Sequence, residues 1–161
     1  MAQTHVVGIS DCKVSDDPSD RILTYALGSC VGVVLYDPAA QVGGMLHLML
    51  PDSRYRSAGR PLNPFMYADT GVGALLDSVT ALGAAPRRLV AKLAGGANML
   101  SRSAVLDIGG RNIEAVVDLL GRLRIPVRGR SLGGTRGRSM ELALADGSVR
   151  VRMLGDGEVQ L

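Results

Sequence analysis

Tryptophan is absent from this chain of 161 residues, phenylalanine occurs once and tyrosine four times. That scarcity removes the stacking platforms on which single-stranded nucleic acids are held, and it obliges the core to be built from Leu, Val, Ile, Ala and Met. Cysteine is nearly as rare. Cys12 and Cys30 cannot supply the dense disulfide framework of a small secreted scaffold, and no basic stretch followed by an apolar core opens the sequence. A reducing cytoplasm is therefore the expected compartment, and a disulfide between the two cysteines is disfavoured. Long apolar runs are missing too: the longest, residues 30–36, falls far short of the ~18 residues that suggest a membrane span. A soluble single domain over residues 1–161 is expected, burying roughly two-thirds of the surface its unfolded chain exposes.

What is present is glycine and unevenly spread charge. The 21 glycines gather in pairs such as Gly43-Gly44, Gly95-Gly96, Gly109-Gly110 and Gly133-Gly134, which mark tight turns between compact elements. The formal charge is only +3, yet the first twenty residues hold four Asp and one Lys, whereas residues 122–138 hold six Arg and no acid. That basic face is either a solvated arginine surface or a docking face for an acidic partner.

Short apolar and β-branched runs at residues 4–9, 22–27, 31–36, 44–50 and 89–93 read as strands, bounded by Asp, Pro and Gly turns. Val72, Leu75, Leu76, Val79 and Leu82 share one face of a helix expected from about Pro64 to Gly83. A second amphipathic helix follows, with Asn112 as its cap and Ile113, Val116, Val117 and Leu120 as its apolar face. Alternation in residues 140–153 about Asp146-Gly147 predicts a β-hairpin with a two-residue turn. Together these elements predict a mixed α+β sandwich, helices packed on sheet, rather than a regular βαβ array.

The chemistry centres on Thr24-Tyr-Ala-Leu-Gly-Ser-Cys30 and on His47 within Gly43-Gly-Met-Leu-His-Leu-Met-Leu-Pro51. A thiol at a Gly-Ser turn can be activated by a neighbouring imidazole or by inward-pointing backbone N–H groups, either of which would lower its pKa. The N–H groups around Gly28, Ser29 and Cys30 could also hold an oxyanion. His47 would deprotonate the thiol and later protonate a departing amine. Thr24, across the turn, is the candidate to orient the ring. Other readings stay open on these residues alone: Cys30 as plain core, His47 as a hydrogen-bonded structural histidine, and zinc held among His5, Cys12, Cys30 and His47, which lack the short spacing of a structural site. Residues 95–98 are no phosphate loop, because no Gly-Lys-Ser/Thr follows.

Several motifs in order then resemble one family over residues 6–152. Leu27-Gly-Ser-Cys-Val31 leading to Leu35-Tyr-Asp37, Gly43-Gly-Met-Leu-His47, Tyr67-Ala-Asp69, Gly95-Gly-Ala-Asn-Met99, Ile108-Gly-Gly-Arg-Asn112 and residues 133–138 are similar to CheD, the chemoreceptor glutamine deamidases. The resemblance implies a cysteine hydrolase that converts receptor glutamines to glutamate with release of ammonia, some members also cleaving methyl esters. It places nucleophile, base and orienting residue on Cys30, His47 and Thr24, and implies no metal or organic cofactor. It further implies a fold like the catalytic domain of the cytotoxic necrotizing factor deamidases. The partners implied are the cytoplasmic helices of chemoreceptors, approached without insertion into the membrane, and the phosphatase CheC. Asn98, Met99 and Leu100 match the family's partner-facing loop, although Leu100 stands where Phe is common. Arg128 and Arg130 are expected to steer Glu-rich receptor helices. The competing readings are an adaptor with an idle dyad and an arginine-mediated nucleic-acid binder, the latter disfavoured by the missing helix-turn-helix signature and stacking aromatics.

Overall fold

The computed structural model describes residues 1–98 and 107–161. Its strands are β1 (Thr4–Val7), β2 (Asp11–Ser15), β3 (Arg21–Leu27), β4 (Val31–Asp37), β5 (Val42–Leu48), β6 (Val90–Gly95), β7 (Val127–Leu132), β8 (Arg138–Ala143), β9 (Val149–Met153) and β10 (Glu158–Gln160). Helix α1 spans Ala68–Ala81 and helix α2 spans Ile108–Arg122. The strands form two five-stranded sheets, ordered β1-β3-β8-β9-β10 and β2-β5-β4-β6-β7.

Strand β4 is buried along its whole length, which explains its unbroken apolar sequence: both of its faces are covered. Val31, Val33 and Leu35 meet Val72, Leu75 and Val79 of α1 and Val116 and Leu120 of α2. The alternate residues Val34 and Tyr36 meet Ile22, Met140 and Leu142 of the other sheet. The result is three layers, sheet on sheet on helices. The expected mixed α+β architecture is thus what folds, with two additions. Both sheets are mixed, because β1 pairs parallel with β3 and β6 pairs parallel with β7, and the step from β6 through α2 to β7 is a βαβ crossover.

Local expectations needed correction. Strands β2, β7 and β10 escaped the sequence reading because all lie at or next to sheet edges, where polar residues such as Lys13, Arg128 and Arg130 interrupt the alternation. A 3₁₀ turn at Pro64–Met66 precedes α1, which starts only at Ala68. Asn112 does not cap α2: Asp107 does, its Oδ1 accepting from Gly110 N at 2.9 Å. The β8–β9 connection is longer than two residues, spanning residues 144–148, with Gly147 N donating to Ala143 O at 2.9 Å.

Asp37 closes β4 and ties the layers together. Fully buried, it accepts from Ala39 N, Ala40 N and Ala85 N and pairs with Arg88 at 2.8 Å. Burial by itself would raise its pKa, but Arg88 and those N–H groups outweigh it and hold the carboxylate at about 2. Asp37→Ala should lower the unfolding free energy by roughly 3 kcal/mol, the low end for breaking a buried pair because Arg88 keeps a route to water. Urea denaturation at pH 7 measures it.

Candidate active site

His47 lies on β5 directly opposite Gly32 of β4, so both face the other sheet. A Cβ at Gly32 would sit 2.9 Å from Met140 Sδ and 3.2 Å from Leu27 Cδ1, so a larger residue there would displace those side chains. Cys30, two residues before Gly32, packs against the same inter-sheet core. Sulfur and ring are therefore diagonal neighbours on one face, a relation in which Cα atoms stand roughly 7–8 Å apart.

Thr24 reaches the ring from β3. Its Oγ1 lies 2.7 Å from Val7 O and 2.8 Å from His47 Nδ1. A hydroxyl has one hydrogen, and a carbonyl can only accept, so Thr24 donates to Val7 and must receive its second bond from the ring. The proton is thereby fixed on Nδ1, and Nε2 keeps its lone pair. That Nε2 is buried and meets no hydrogen-bond partner among the described residues. Thr24 is placed by a bulge: the β3–β8 register shifts between Thr24 and Leu27, and Ala26 takes the left-handed φ of 59°. Gly28, in the turn itself, has no left-handed φ.

Burial lowers the His47 pKa from 6.5 to about 4. An unfolded chain therefore binds a proton at His47 that the folded protein refuses between those two values. Stability is complete above pH 6.5 and declines as the pH falls toward 4, by about 3 kcal/mol in all. Denaturation midpoints measured from pH 7 to pH 4 should show this loss, and His47→Gln should remove it.

The turn before β4 has its carbonyls pinned inward. Gly28 O accepts from Ala97 N at 2.8 Å, Cys30 O from Gly96 N at 2.8 Å, and Ser29 O from Asn112 Nδ2 at 2.9 Å. Among the described residues no backbone carbonyl meets the N–H of Ser29 or Cys30, and the Cys30 N–H interacts with its own sulfur. Gly95 has to be glycine: its φ is +107°, and a Cβ would fall 2.2 Å from Cys30 O. Behind this strap, Gly133 N bonds Gly95 O and Asn98 N bonds Gly134 O, each at 2.9 Å. Arg138, 4% exposed, holds the carbonyls of Ser131, Gly133 and Arg136 and so braces that second loop.

The thiol itself runs against expectation. Cys30 is half-buried, and desolvation raises its pKa, opposed only by its own backbone N–H. It is protonated at neutral pH, and no hydrogen bond joins it to His47 Nε2. Cys12 is not part of the site: it pairs with Leu46, packs on the helix side of the sheet, and burial pushes its pKa up to about 12. Both thiols are free. His5 is engaged elsewhere, 2.7 Å from Asp20. A groove of about 230 Å³ between Tyr25 and Arg150 lies on the outer face of the β1-β3-β8-β9-β10 sheet, away from the ring, and Arg150 is paired with Glu141.

Of the other sequence candidates, Gly28 and Ser29 form the turn and Asn98 ends the strap. Arg128 and Arg130 are exposed on the edge strand β7, and Met99 and Leu100 lie outside the described residues. Sequence reading missed Asn112 and Arg138. A signal for Asn112 existed: it falls in line with Val116 and Leu120 at i, i+4 and i+8, a polar side chain on the buried stripe of α2.

Comparison with known proteins settles the kinship. A family model described as CheD chemotactic sensory transduction matches residues 49–153. The chain belongs to the CheD family. A probable chemoreceptor glutamine deamidase CheD of Desulforamulus reducens is 48% identical over 153 residues, 92% of this chain and 90% of that protein. The corresponding protein of Solibacter usitatus is 46% identical over 142 residues, 88% of this chain and 84% of that one. Among solved structures, Bacillus licheniformis hypothetical protein YfiH is similar with a TM-score of 0.49 at 16% identity, covering 75% of this chain and 49% of that one. No helix among the described residues is long and apolar enough to cross a membrane.

Proposed function

We propose that this CheD-family chain is a chemoreceptor glutamine deamidase with Cys30 as nucleophile, His47 as base and Thr24 as the residue that orients the ring. The observation that carries the reading is the Thr24–His47 hydrogen bond, which leaves an unprotonated Nε2 on the face it shares with a half-buried thiol. In the proposed sequence Cys30 Sγ attacks the amide carbon of a receptor glutamine while its proton passes to Nε2. The N–H groups of Ser29 and Cys30 hold the oxyanion, each such donor being worth about 10²–10³ in rate. The imidazolium then protonates the leaving nitrogen, ammonia departs, and a thioester remains. His47 next takes a proton from water, whose oxygen attacks the thioester, and glutamate and the thiol are released.

The same reading makes the whole chain one catalytic domain, shaped like that of the cytotoxic necrotizing factor deamidases and working from the cytoplasm on helices of membrane-anchored receptors. Asn98, Met99 and Leu100 would face receptor or CheC. Arg128 and Arg130, exposed on the edge strand β7, suit Glu-rich helices by charge. Arg128→Glu with Arg130→Glu should lower kcat/KM on a receptor fragment about tenfold at low salt and flatten its salt dependence, since one or two steering charges act over about a Debye length. Peptide mass spectrometry of a receptor incubated with the protein, scoring amide-to-acid conversion site by site, tests the function; receptor glutamines left intact would refute it.

A further inference from the structure

We infer that Asn112 is a positioning residue, setting the spacing of nucleophile and base by fastening the turn before Cys30 to the segment after His47. This rests on the reading of Cys30 and His47 as the reacting pair. The β4–β5 ladder ends at Val31 opposite Leu48, so the next rung, where Cys30 and Met49 would meet, is missing. Asn112 takes its place. Its two Nδ2 hydrogens go to Ser29 O and Met49 O, each at 2.9 Å, and among the described residues no other side chain bonds both segments.

The side chain is well suited to hold them still. Asn112 is fully buried on α2, and α2 is seated on the strap behind the nucleophile turn, because a Cβ at Gly109 would lie 2.4 Å from Ala97 O. Its amide orientation is fixed by the chemistry, since Oδ1 facing two carbonyls would repel them. Among the described residues Oδ1 is left buried without a partner, a standing cost that a leucine in line with Val116 and Leu120 would avoid. Filling the stripe therefore does not account for Asn112, whereas holding two backbone segments does.

Asn112→Ala and Asn112→Ser in the full chain test this. One readout is steady-state ammonia release from a glutamine-bearing receptor fragment; the other is iodoacetamide labelling of Cys30 followed by mass spectrometry, with the half-buried Cys12, outside the site, as internal reference. Asn112→Ala should lower kcat about tenfold to a hundredfold, as loss of an orienting hydrogen bond does, leave KM within about twofold, and change the Cys30 labelling rate. Asn112→Ser keeps one donor and should recover part of kcat. Parent kcat and labelling rate per folded molecule, whatever happens to the melting temperature, would overturn the inference, and so would failure of both variants to fold, which would make the role one of stability. Cys30→Ala run beside them separates the two readings. Full activity in that variant sinks the deamidase site, whereas a dead Cys30→Ala with unaffected Asn112 variants sinks only the clamp.

Discussion

Cys30→Ala should abolish receptor deamidation, lowering the rate by about four orders of magnitude or more, the scale on which removal of a covalent nucleophile acts. The fold should be indifferent, because Cys30 is only half-buried at the rim of the inter-sheet core and its carbonyl, not its sulfur, carries the turn's hydrogen bond to Gly96 N. A variant that melts with the parent and still binds a receptor fragment, yet converts no glutamine, is the expected result. Cys30→Ser should be nearly as inert: the parent thiol already has its pKa raised by burial, and a hydroxyl in that place is harder still to ionise. A neutral thiol also makes the base indispensable, since the proton has to leave sulfur as the new bond forms. If cells carrying Cys30→Ala keep a normal adaptation response, the protein acts by binding alone and the dyad is idle.

Much of this site was legible in the sequence for a physical reason. Thr24, Cys30 and His47 sit in or beside short apolar runs bounded by turns, so their placement on neighbouring strands could be read, and the surrounding motifs were distinctive enough to point to the CheD family before any coordinates. β4 was equally plain, because a strand covered on both faces has to be apolar throughout. What escaped were features whose cause lies elsewhere in the chain. Edge strands such as β7 carry arginines where a central strand would carry valines. The parallel pairing of β1 with β3 depends on a partner segment that local pattern does not name. Ala26 adopts its left-handed φ because the bulge brings both Thr24 and Leu27 inward, and nothing about alanine announces that. Arg138 looked like one more surface arginine, and it is buried because it gathers the carbonyls of Ser131, Gly133 and Arg136. The direction of the Cys30 pKa was misjudged for the same reason: spacing shows which groups are near, and burial decides whether charge is tolerated.

Thr24→Val keeps the shape of the threonine and removes only its hydroxyl, so it isolates the hydrogen bond to His47. Two groups lose their partner at once, Val7 O and His47 Nδ1–H, both in the fully buried setting of Thr24. Unsatisfied buried groups of this kind cost about 1–3 kcal/mol each, so the melting temperature should fall. The larger consequence is chemical. Without an acceptor at Nδ1, the ring can carry its proton on Nε2 instead, where it no longer serves as a base. A drop in kcat of about a hundredfold with KM nearly unchanged is expected, the upper range for an orienting partner, and Thr24→Ser, which keeps the hydroxyl, should restore most of it. Nitrogen-15 shifts of the imidazole decide the cause: the parent should show a protonated Nδ1 and a bare Nε2 down to about pH 4, where burial has set its pKa, whereas Thr24→Val should show a mixture of tautomers. If the valine variant kept both the parent kcat and the Nδ1–H tautomer, the hydroxyl would not be what orients the ring, and the base would owe its lone pair to the closed walls of the inter-sheet core alone.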